Sequence, residues 1–379
     1  MTKKLHKLIE GMSKQDWWSR QKAITDLVKH PEEEYTGSLE KALRNHDNAN
    51  IRNTAIEVYK ALGKRAFTYL FPLLKDKDPE VRLFSANILG EIGDKEALPY
   101  LLISIKDADE NVRIASAEAL GKTGDEEALN GLKKALNDDQ WVAMAAIQAI
   151  GEIGGKKALN ILHDCLHKEE YQGLAITTIG NKGNDQSIKH LTTFIDRPDT
   201  MFHRELALEA IIRIAERERF KPGPENFSKL VPVLIDIIKS TNSEVKKSAF
   251  IALCWSENIK GLPLFLEAIK DEELLEYAID GILSIGKSAA PAITETLKGS
   301  SGNHRGILAK VLSMLGENGA LIHFKKDENP EVRTEVALAL GSVNSNTSIR
   351  ALLKMLSDPF EEVRLAARKS LAVLNRNRL

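Results

Sequence analysis

The stretch that decides the fold is DPEVRLFSANILGEIGD, residues 78–94. A close copy, DENVRIASAEALGKTGD, occupies residues 109–125, and NPEVRTEVALALGSVNS occupies residues 329–345. Aligned on the position of Val81, twelve units follow one another at steps of 28–32 residues, except for one step of 42 residues. Such self-similarity is typical of a repeat architecture, in which each unit buries its apolar surface against its neighbours.

Each unit is predicted to hold two amphipathic helices, named here the first helix and the second helix. Ten units have a residue able to cap a helix N-terminus three positions before the alignment position. These residues are Asp16, Asn48, Asp78, Asp109, Asp139, Thr200, Asn242, Asp271, Ser301 and Asn329. Glycines near the end of the second helix predict helix termination in the left-handed conformation. They are Gly63, Gly90, Gly121, Gly151, Gly180 and Gly341.

No run of strand-like alternation interrupts this pattern. The sequence therefore predicts an all-α protein, an α-solenoid of about twelve helix pairs that forms a single array over residues 1–379. Residues 216–230, ERERFKPGPENFSKL, lie within the 42-residue step and contain prolines that cannot continue a helix. This segment is either an inserted functional loop or a joint between two solenoid segments.

Composition limits the classes of function. Of the 379 residues, 43% are apolar and 28% charged, which indicates a globular chain. Lys plus Arg number 53 and Asp plus Glu number 54, so a basic surface for nucleic acid or an anionic membrane is not expected. Two cysteines, Cys165 and Cys254, are too few for a disulfide framework. With no signal peptide and no long apolar stretch, we expect a soluble, cytoplasmic protein without a membrane partner.

The pattern DPEVRxxAAxALGxIGD resembles HEAT repeats, specifically the short HEAT-like repeats of phycobilisome lyases, over nearly the whole chain. The resemblance implies the α-solenoid fold, which serves mostly as a binding scaffold. It also implies a structural ladder, in which an arginine after the aligned valine pairs with aspartates of neighbouring repeats. The matching residues are Arg20, Arg52, Arg82, Arg113, Arg204, Arg305, Arg333 and Arg364.

The sequence contains no Gly-rich phosphate loop and no Gly-x-Ser-x-Gly motif. The resemblance suggests two enzymatic branches, neither of which fits. Deoxyhypusine hydroxylase binds iron through His-Glu dipeptides, which this chain lacks. The HEAT-like alkylpurine DNA glycosylases are strongly basic proteins, whereas this chain has a formal net charge of -1. His163 and His167 could share a helix face as zinc ligands do, near Asp164 and Cys165, but two partly exposed histidines beside a buried cysteine explain them as well. We predict no catalytic residue, no metal and no cofactor.

Second helices usually line the concave face of a solenoid. The residues six and ten positions after the alignment position are expected to face solvent there. In the first seven units the acidic ones are Glu57, Glu91, Glu118, Glu152 and Glu209, whereas the last units place Lys310, Arg368 and Lys369 on or beside this face. One hypothesis is that a basic protein segment binds along the N-terminal half; an ordinary solvated face is the alternative.

Departures from the repeat give further candidates for partner contacts. Trp141 precedes the aligned residue of its unit, Tyr171 replaces the aligned valine, and Trp255 occupies the exposed tenth position. Large aromatic residues often dominate binding energy. The alternative is sequence drift, with Trp141 packed over a neighbouring loop.

These observations favour a non-enzymatic scaffold or adaptor that binds another protein through its concave surface. The alternative is an accessory protein that resembles the bilin lyases and holds a chromophore or its acceptor protein. Nucleic-acid binding would need a basic stripe that the charge balance does not indicate.

Overall fold

The computed structural model describes residues 17–29, 33–196, 201–240, 243–300, 304–343 and 345–376. Within these ranges all regular structure is α-helix or short 3-10 turn, without strands, as the repeat pattern predicts. The chain divides into two compact parts, Met1–His190 and Leu191–Leu379, and each is an α-solenoid of stacked helix pairs. From here on these two parts are named the first unit and the second unit, and the twelve shorter sequence units are called repeats. The predicted single array over residues 1–379 stays a prediction.

Even-numbered helices are first helices, and odd-numbered helices are second helices. In chain order the first unit contains α1 (Trp17–Lys29), α2 (Glu33–Leu43), α3 (Ala49–Leu62), α4 (Phe67–Leu73), α5 (Pro79–Ile92), α6 (Leu98–Ser104), α7 (Glu110–Thr123), α8 (Leu129–Ala135), α9 (Gln140–Ile153), α10 (Gly155–Cys165) and α11 (Gln172–Lys182). Helix α12 (Asp185–Ile195) runs across the division between the units.

The second unit continues the alternation. Its helices are α13 (Met201–Glu218), α14 (Val231–Ser240), α15 (Ser243–Trp255), α16 (Leu262–Ala268), α17 (Leu275–Ile285), α18 (Ala290–Gly299), α19 (His304–Met314), α20 (Asn318–Leu321), α21 (Pro330–Gly341), α22 (Asn346–Met355) and α23 (Glu361–Arg376). No helix in the described ranges combines the length and the apolarity that crossing a membrane requires.

Side-chain caps start the second helices. The Asp78 carboxylate accepts a hydrogen bond of 3.0 Å from the backbone N–H of Glu80. Equivalent bonds are accepted by Asn48, Asp109 and Asn329. Asp271 accepts from the backbone N–H of Glu273, but it does not cap α17, which begins only at Leu275. Asp139 is different, because its carboxylate accepts from Arg113 Nη2 at 2.7 Å and does not cap α9. The predicted caps Asp16, Thr200, Asn242 and Ser301 lie outside the described residues.

The predicted role of the glycines is wrong for most of them. Gly90 lies inside α5, and the helix ends at Gly93, which has a φ of 66°. A Cβ added to Gly90 would lie 2.7 Å from the Cα of Ala119 on α7. The missing side chain therefore lets neighbouring second helices approach closely. Gly121, Gly151 and Gly341 face the adjacent second helix in the same way, whereas Gly63 does end its helix, with a φ of 58°.

Candidate partner-binding groove on the second helices

The second unit contains a groove of about 520 Å³ on its second helices, named here the Trp255 groove. Three consecutive second helices, α13, α15 and α17, form its floor and sides. The lining residues are Ile212, Glu216, Lys221, Ile251, Cys254, Trp255, Tyr277, Asp280, Leu283 and Ser284. Its volume lies within the range of small-ligand sites.

The repeat register explains why these residues line the groove. Ile251 and Trp255 on α15 lie six and ten residues after the alignment position Val245. Asp280 and Ser284 on α17 lie six and ten residues after the alignment position Leu274. Residues four apart share one face of a helix. The sequence predicts an exposed Trp255; in the structure it is half-buried and lines the groove, and Ile251 on the same face is buried.

The segment 216–230 belongs to the second unit and forms one wall of the groove. Helix α13 ends at Glu218, and the chain then folds back so that Phe227 is fully buried, with its ring centroid 5.7 Å from that of Trp255. Lys221 Nζ donates to Ser284 Oγ at 2.8 Å and forms an ion pair of 3.1 Å with Glu257. The two departures from the repeat, the insertion and Trp255, therefore meet at one place.

Two carboxylates of the groove have no ion pair within the described part of the chain. These are Glu216 on α13 and Asp280 on α17, both exposed. Cys254 lies beneath them; burial raises the pKa of its thiol well above the usual range, and Sγ donates to the Tyr277 carbonyl at 3.1 Å. A neutral, buried thiol is a packing group rather than a nucleophile. The groove thus offers aromatic, apolar and anionic contacts.

The acidic residues predicted for the first unit are exposed, but part of their charge is neutralised. Glu57 pairs with Lys60 at 3.1 Å, and Glu91 lies between Lys60, at 3.7 Å, and Lys122. The hydrogen bond from Lys122 is the main reason why the pKa of Glu91 is lowered. Three further predicted contacts are Glu118 and Glu152, exposed and without ion pairs in the described ranges, and Glu209, half-buried on α13.

Trp141 and Tyr171 differ in accessibility. Trp141 is the second residue of α9, and 65% of its surface is exposed. Tyr171 is only 5% exposed, because it occupies the alignment position, where Val81 and Val112 are also buried. Tyr171 is therefore a core residue in this structure, which corrects its prediction as a contact residue.

Arginines link successive repeats through aspartates. Arg82 Nε and Nη2 donate to both carboxylate oxygens of Asp107, at 2.8 and 2.7 Å, and Nη1 donates to the Asp76 carbonyl. Arg333 binds both oxygens of Asp358 in the same manner. Arg113 binds Asp138 and Asp139, and Arg305 binds Asp327. These four positions have the ion pairs that the resemblance implies.

Arg52 and Arg364 of the predicted ladder bind backbone carbonyls. The Arg52 guanidinium lies 5.1 Å from the Phe84 ring centroid and donates to the Asn45 carbonyl at 3.2 Å. The carboxylate of Asp76 is bound instead by Arg44, which follows the first helix α2 and lies outside the predicted ladder. Arg364 donates to the carbonyls of Asp358 and Pro359, and Arg204 is half-buried on α13.

His163 contacts a histidine that the sequence did not suggest. Its ring stacks on that of His190 with centroids 4.0 Å apart, and Nε2 lies 3.1 Å from Ser187 Oγ. Burial, together with the nearby His190, lowers the pKa of His163 to about 4. His167 is exposed and Cys165 is buried, and the described residues contain no group of three side chains arranged to hold a metal ion.

This histidine gives a testable pH dependence. His163 is neutral in the folded protein down to a pH of about 4, whereas in the unfolded chain it binds a proton below its ordinary value of about 6.5. The free energy of unfolding should therefore fall as the pH drops from 7 to 5. His163→Gln should reduce this fall in urea titrations at the two pH values, and the exposed control His167→Gln should not. Equal falls in all three proteins would contradict the assignment.

The sequence profile of HEAT repeats matches residues 67–141, 106–174 and 290–372, together just over half of the chain. The fold is similar to that of a chain in the structure of Kap95p with RanGDP, with 13% sequence identity and a TM-score of 0.57. The match covers 97% of this chain and 62% of that chain. A chain in a homology model of the AP-3 complex has 13% sequence identity to this chain and a TM-score of 0.54. The match covers 98% of this chain and 82% of that chain.

The CpcE–CpcF phycocyanin lyase of Nostoc sp. is 16% identical over 65% of this chain and 94% of that chain. The TM-score of this likeness is 0.35. No curated protein sequence matched this chain. At these identities the structural likenesses show the fold alone. The profile match, the stacked helix pairs and the Arg–Asp pairs lead to one conclusion: this chain belongs to the HEAT-repeat family.

Proposed function

We propose that this protein is a non-enzymatic scaffold that binds a segment of another protein on its second helices, the predicted concave side, with the Trp255 groove as the anchor. One observation carries the proposal: the largest departure from the repeat spacing and an aromatic residue on the open helix face build the same groove. Features of this kind, which the repeat itself does not require, are expected at functional sites.

The chemistry of the groove supports binding. Trp255 and Tyr277 provide large, rigid apolar surfaces beside a floor of aliphatic side chains. Aromatic anchors in such pockets supply most of the binding energy in many protein interfaces. Kap95p with RanGDP and the AP-3 complex are assemblies of several proteins, which agrees with the use of this fold as a scaffold. Glu118 and Glu152 of the first unit stay proposed contacts for a basic segment.

Trp255→Ala tests the proposal. A library of short random peptides displayed on phage is selected against the wild-type protein, and the dissociation constants of the enriched peptides are measured. We expect Trp255→Ala to weaken their binding about tenfold or more, because the anchor ring is removed. Trp18→Ala, which removes a tryptophan that is 78% exposed on α1 and is not a predicted contact, is the matched control and should leave binding unchanged.

Thermal unfolding of both variants accompanies the binding measurement, because Trp255 also contacts the buried Phe227. Retention of wild-type affinity by a folded Trp255→Ala protein for all enriched peptides would show that the anchor lies elsewhere.

A further inference from the structure

We infer that the Trp255 groove selects an arginine side chain of the partner segment, which would stack on the Trp255 ring and pair with the carboxylates of Glu216 and Asp280. This inference rests on the proposed function, because it names the chemistry of the partner at the proposed anchor. It commits to a peptide with a positive charge at one defined position.

The order of the helices places the two carboxylates on either side of the aromatic ring. Helix α15, which contains Trp255, packs against α13 on one side and α17 on the other. Glu216 lies on α13 and Asp280 on α17, and both line the same groove. A cation above Trp255 would therefore have a carboxylate available from each neighbouring helix.

The positive charges around the groove leave these carboxylates available. Lys221 is held by Glu257 and Ser284. Lys247 Nζ lies 5.7 Å from the centroid of the Tyr277 ring, a cation–π contact within this structure. No such cation lies over Trp255 in the described part of the second unit. The ring and the two carboxylates are thus a complementary site for an incoming cation.

Arginine fits this combination better than lysine. Its planar guanidinium stacks on aromatic faces and binds carboxylates through two parallel N–H groups, whereas the lysine ammonium is compact and more strongly hydrated. Pairs of this type already form in the protein, as between Arg333 and Asp358. A phosphate backbone would be repelled by Glu216 and Asp280, so the charge of the groove favours a peptide over a nucleic acid.

The test uses the peptides enriched on the full-length protein. We expect an arginine at one shared position, and its replacement by citrulline, which keeps the shape and removes the charge, should raise the dissociation constant about tenfold. Asp280→Asn and Glu216→Gln should each weaken the arginine peptide severalfold and leave the citrulline peptide unchanged. Glu267→Gln, an exposed carboxylate on the first helix α16 without an ion pair in the described ranges, is the matched control and should have no effect.

The outcomes separate the two proposals. If the enriched peptides depend on Trp255 but have no shared positive charge, or if Asp280→Asn weakens the arginine and citrulline peptides equally, the arginine inference is wrong and the proposed function stands. If no enriched peptide depends on Trp255, the proposed function itself is wrong. Because the citrulline substitution is in the peptide, its effect cannot come from a loss of protein stability.

Discussion

Replacement of Gly90 by alanine is expected to lower the free energy of unfolding by about 2–3 kcal/mol. The new methyl group would lie 2.7 Å from the Cα and 2.8 Å from the Cβ of Ala119 on the adjacent second helix. Those atoms are backbone and the first side-chain atom, so no rotamer change relieves the overlap. Helices α5 and α7 would have to separate, which weakens the packing of the first unit around this contact.

Gly37→Ala is the matched control for this prediction. Gly37 lies within the first helix α2, and a Cβ added there has no atom within 4 Å. The substitution should stabilise the protein by about 0.5–1 kcal/mol, because alanine loses less conformational freedom than glycine in a helix. Urea unfolding followed by circular dichroism measures both. Two changes of the same sign would contradict the assignment of Gly90 to helix packing.

The fold could be predicted because its signals are local. The cap at Asp78 and the buried Val81 lie within one turn of each other, and both recur in the repeats that begin at Asp109 and Asn329. One period therefore determines helix starts and inward faces without knowledge of the tertiary structure. The same register predicts an exposed Trp255, which the structure has half-buried in the groove.

The role of Gly90 could not be predicted with the same reasoning. Its partner, Ala119, is 29 residues away, and the close approach of the two helices depends on their crossing geometry. In sequence Gly90 looks like a helix-ending glycine, and Gly93, three residues later, takes that role. Local propensity alone does not distinguish a glycine that ends a helix from one that permits contact.

The charge of the candidate surface shows a similar limit. A count of residues treats Glu91 as a free carboxylate, but Lys60 and Lys122 on the neighbouring helices neutralise it. Lys122 occupies the same repeat position as Glu91, 31 residues later, so a comparison of equivalent positions in adjacent repeats could have found that pair. The bond from Lys221 to Ser284 spans 63 residues and follows no repeat register.

Arg333→Met is the second substitution with a large expected effect, a loss of about 2–3 kcal/mol in the free energy of unfolding. Arg333 and Asp358 side chains are each only 11% exposed, and removal of the cation leaves a carboxylate largely shielded from water. Breaking a fully buried pair costs about 3–5 kcal/mol, and residual exposure reduces that figure here. The exposed pair of Lys298 and Glu295 lies in the same unit, and Lys298→Met should cause no measurable change.

The acid dependence of stability distinguishes loss of the pair from loss of packing by the arginine stem. The hydrogen bond from Arg333 is the main reason why the pKa of Asp358 lies below its usual range. In the wild type, Asp358 therefore contributes stability that is complete above the unfolded-state pKa of about 3.9 and is lost as the pH falls through the lower folded-state value. In Arg333→Met that contribution is absent at every pH.

We expect the difference in unfolding free energy between the wild type and Arg333→Met to be largest at pH 5–7 and to shrink as the pH falls below about 4, because protonation removes from the wild type what the substitution has already removed. Urea titrations across this range measure it. Arg333→Met combined with Asp358→Asn should be less destabilised than the sum of the single variants, since neither charge is then left alone. A difference that is constant with pH, with additive single effects, would assign the loss to packing of the arginine stem.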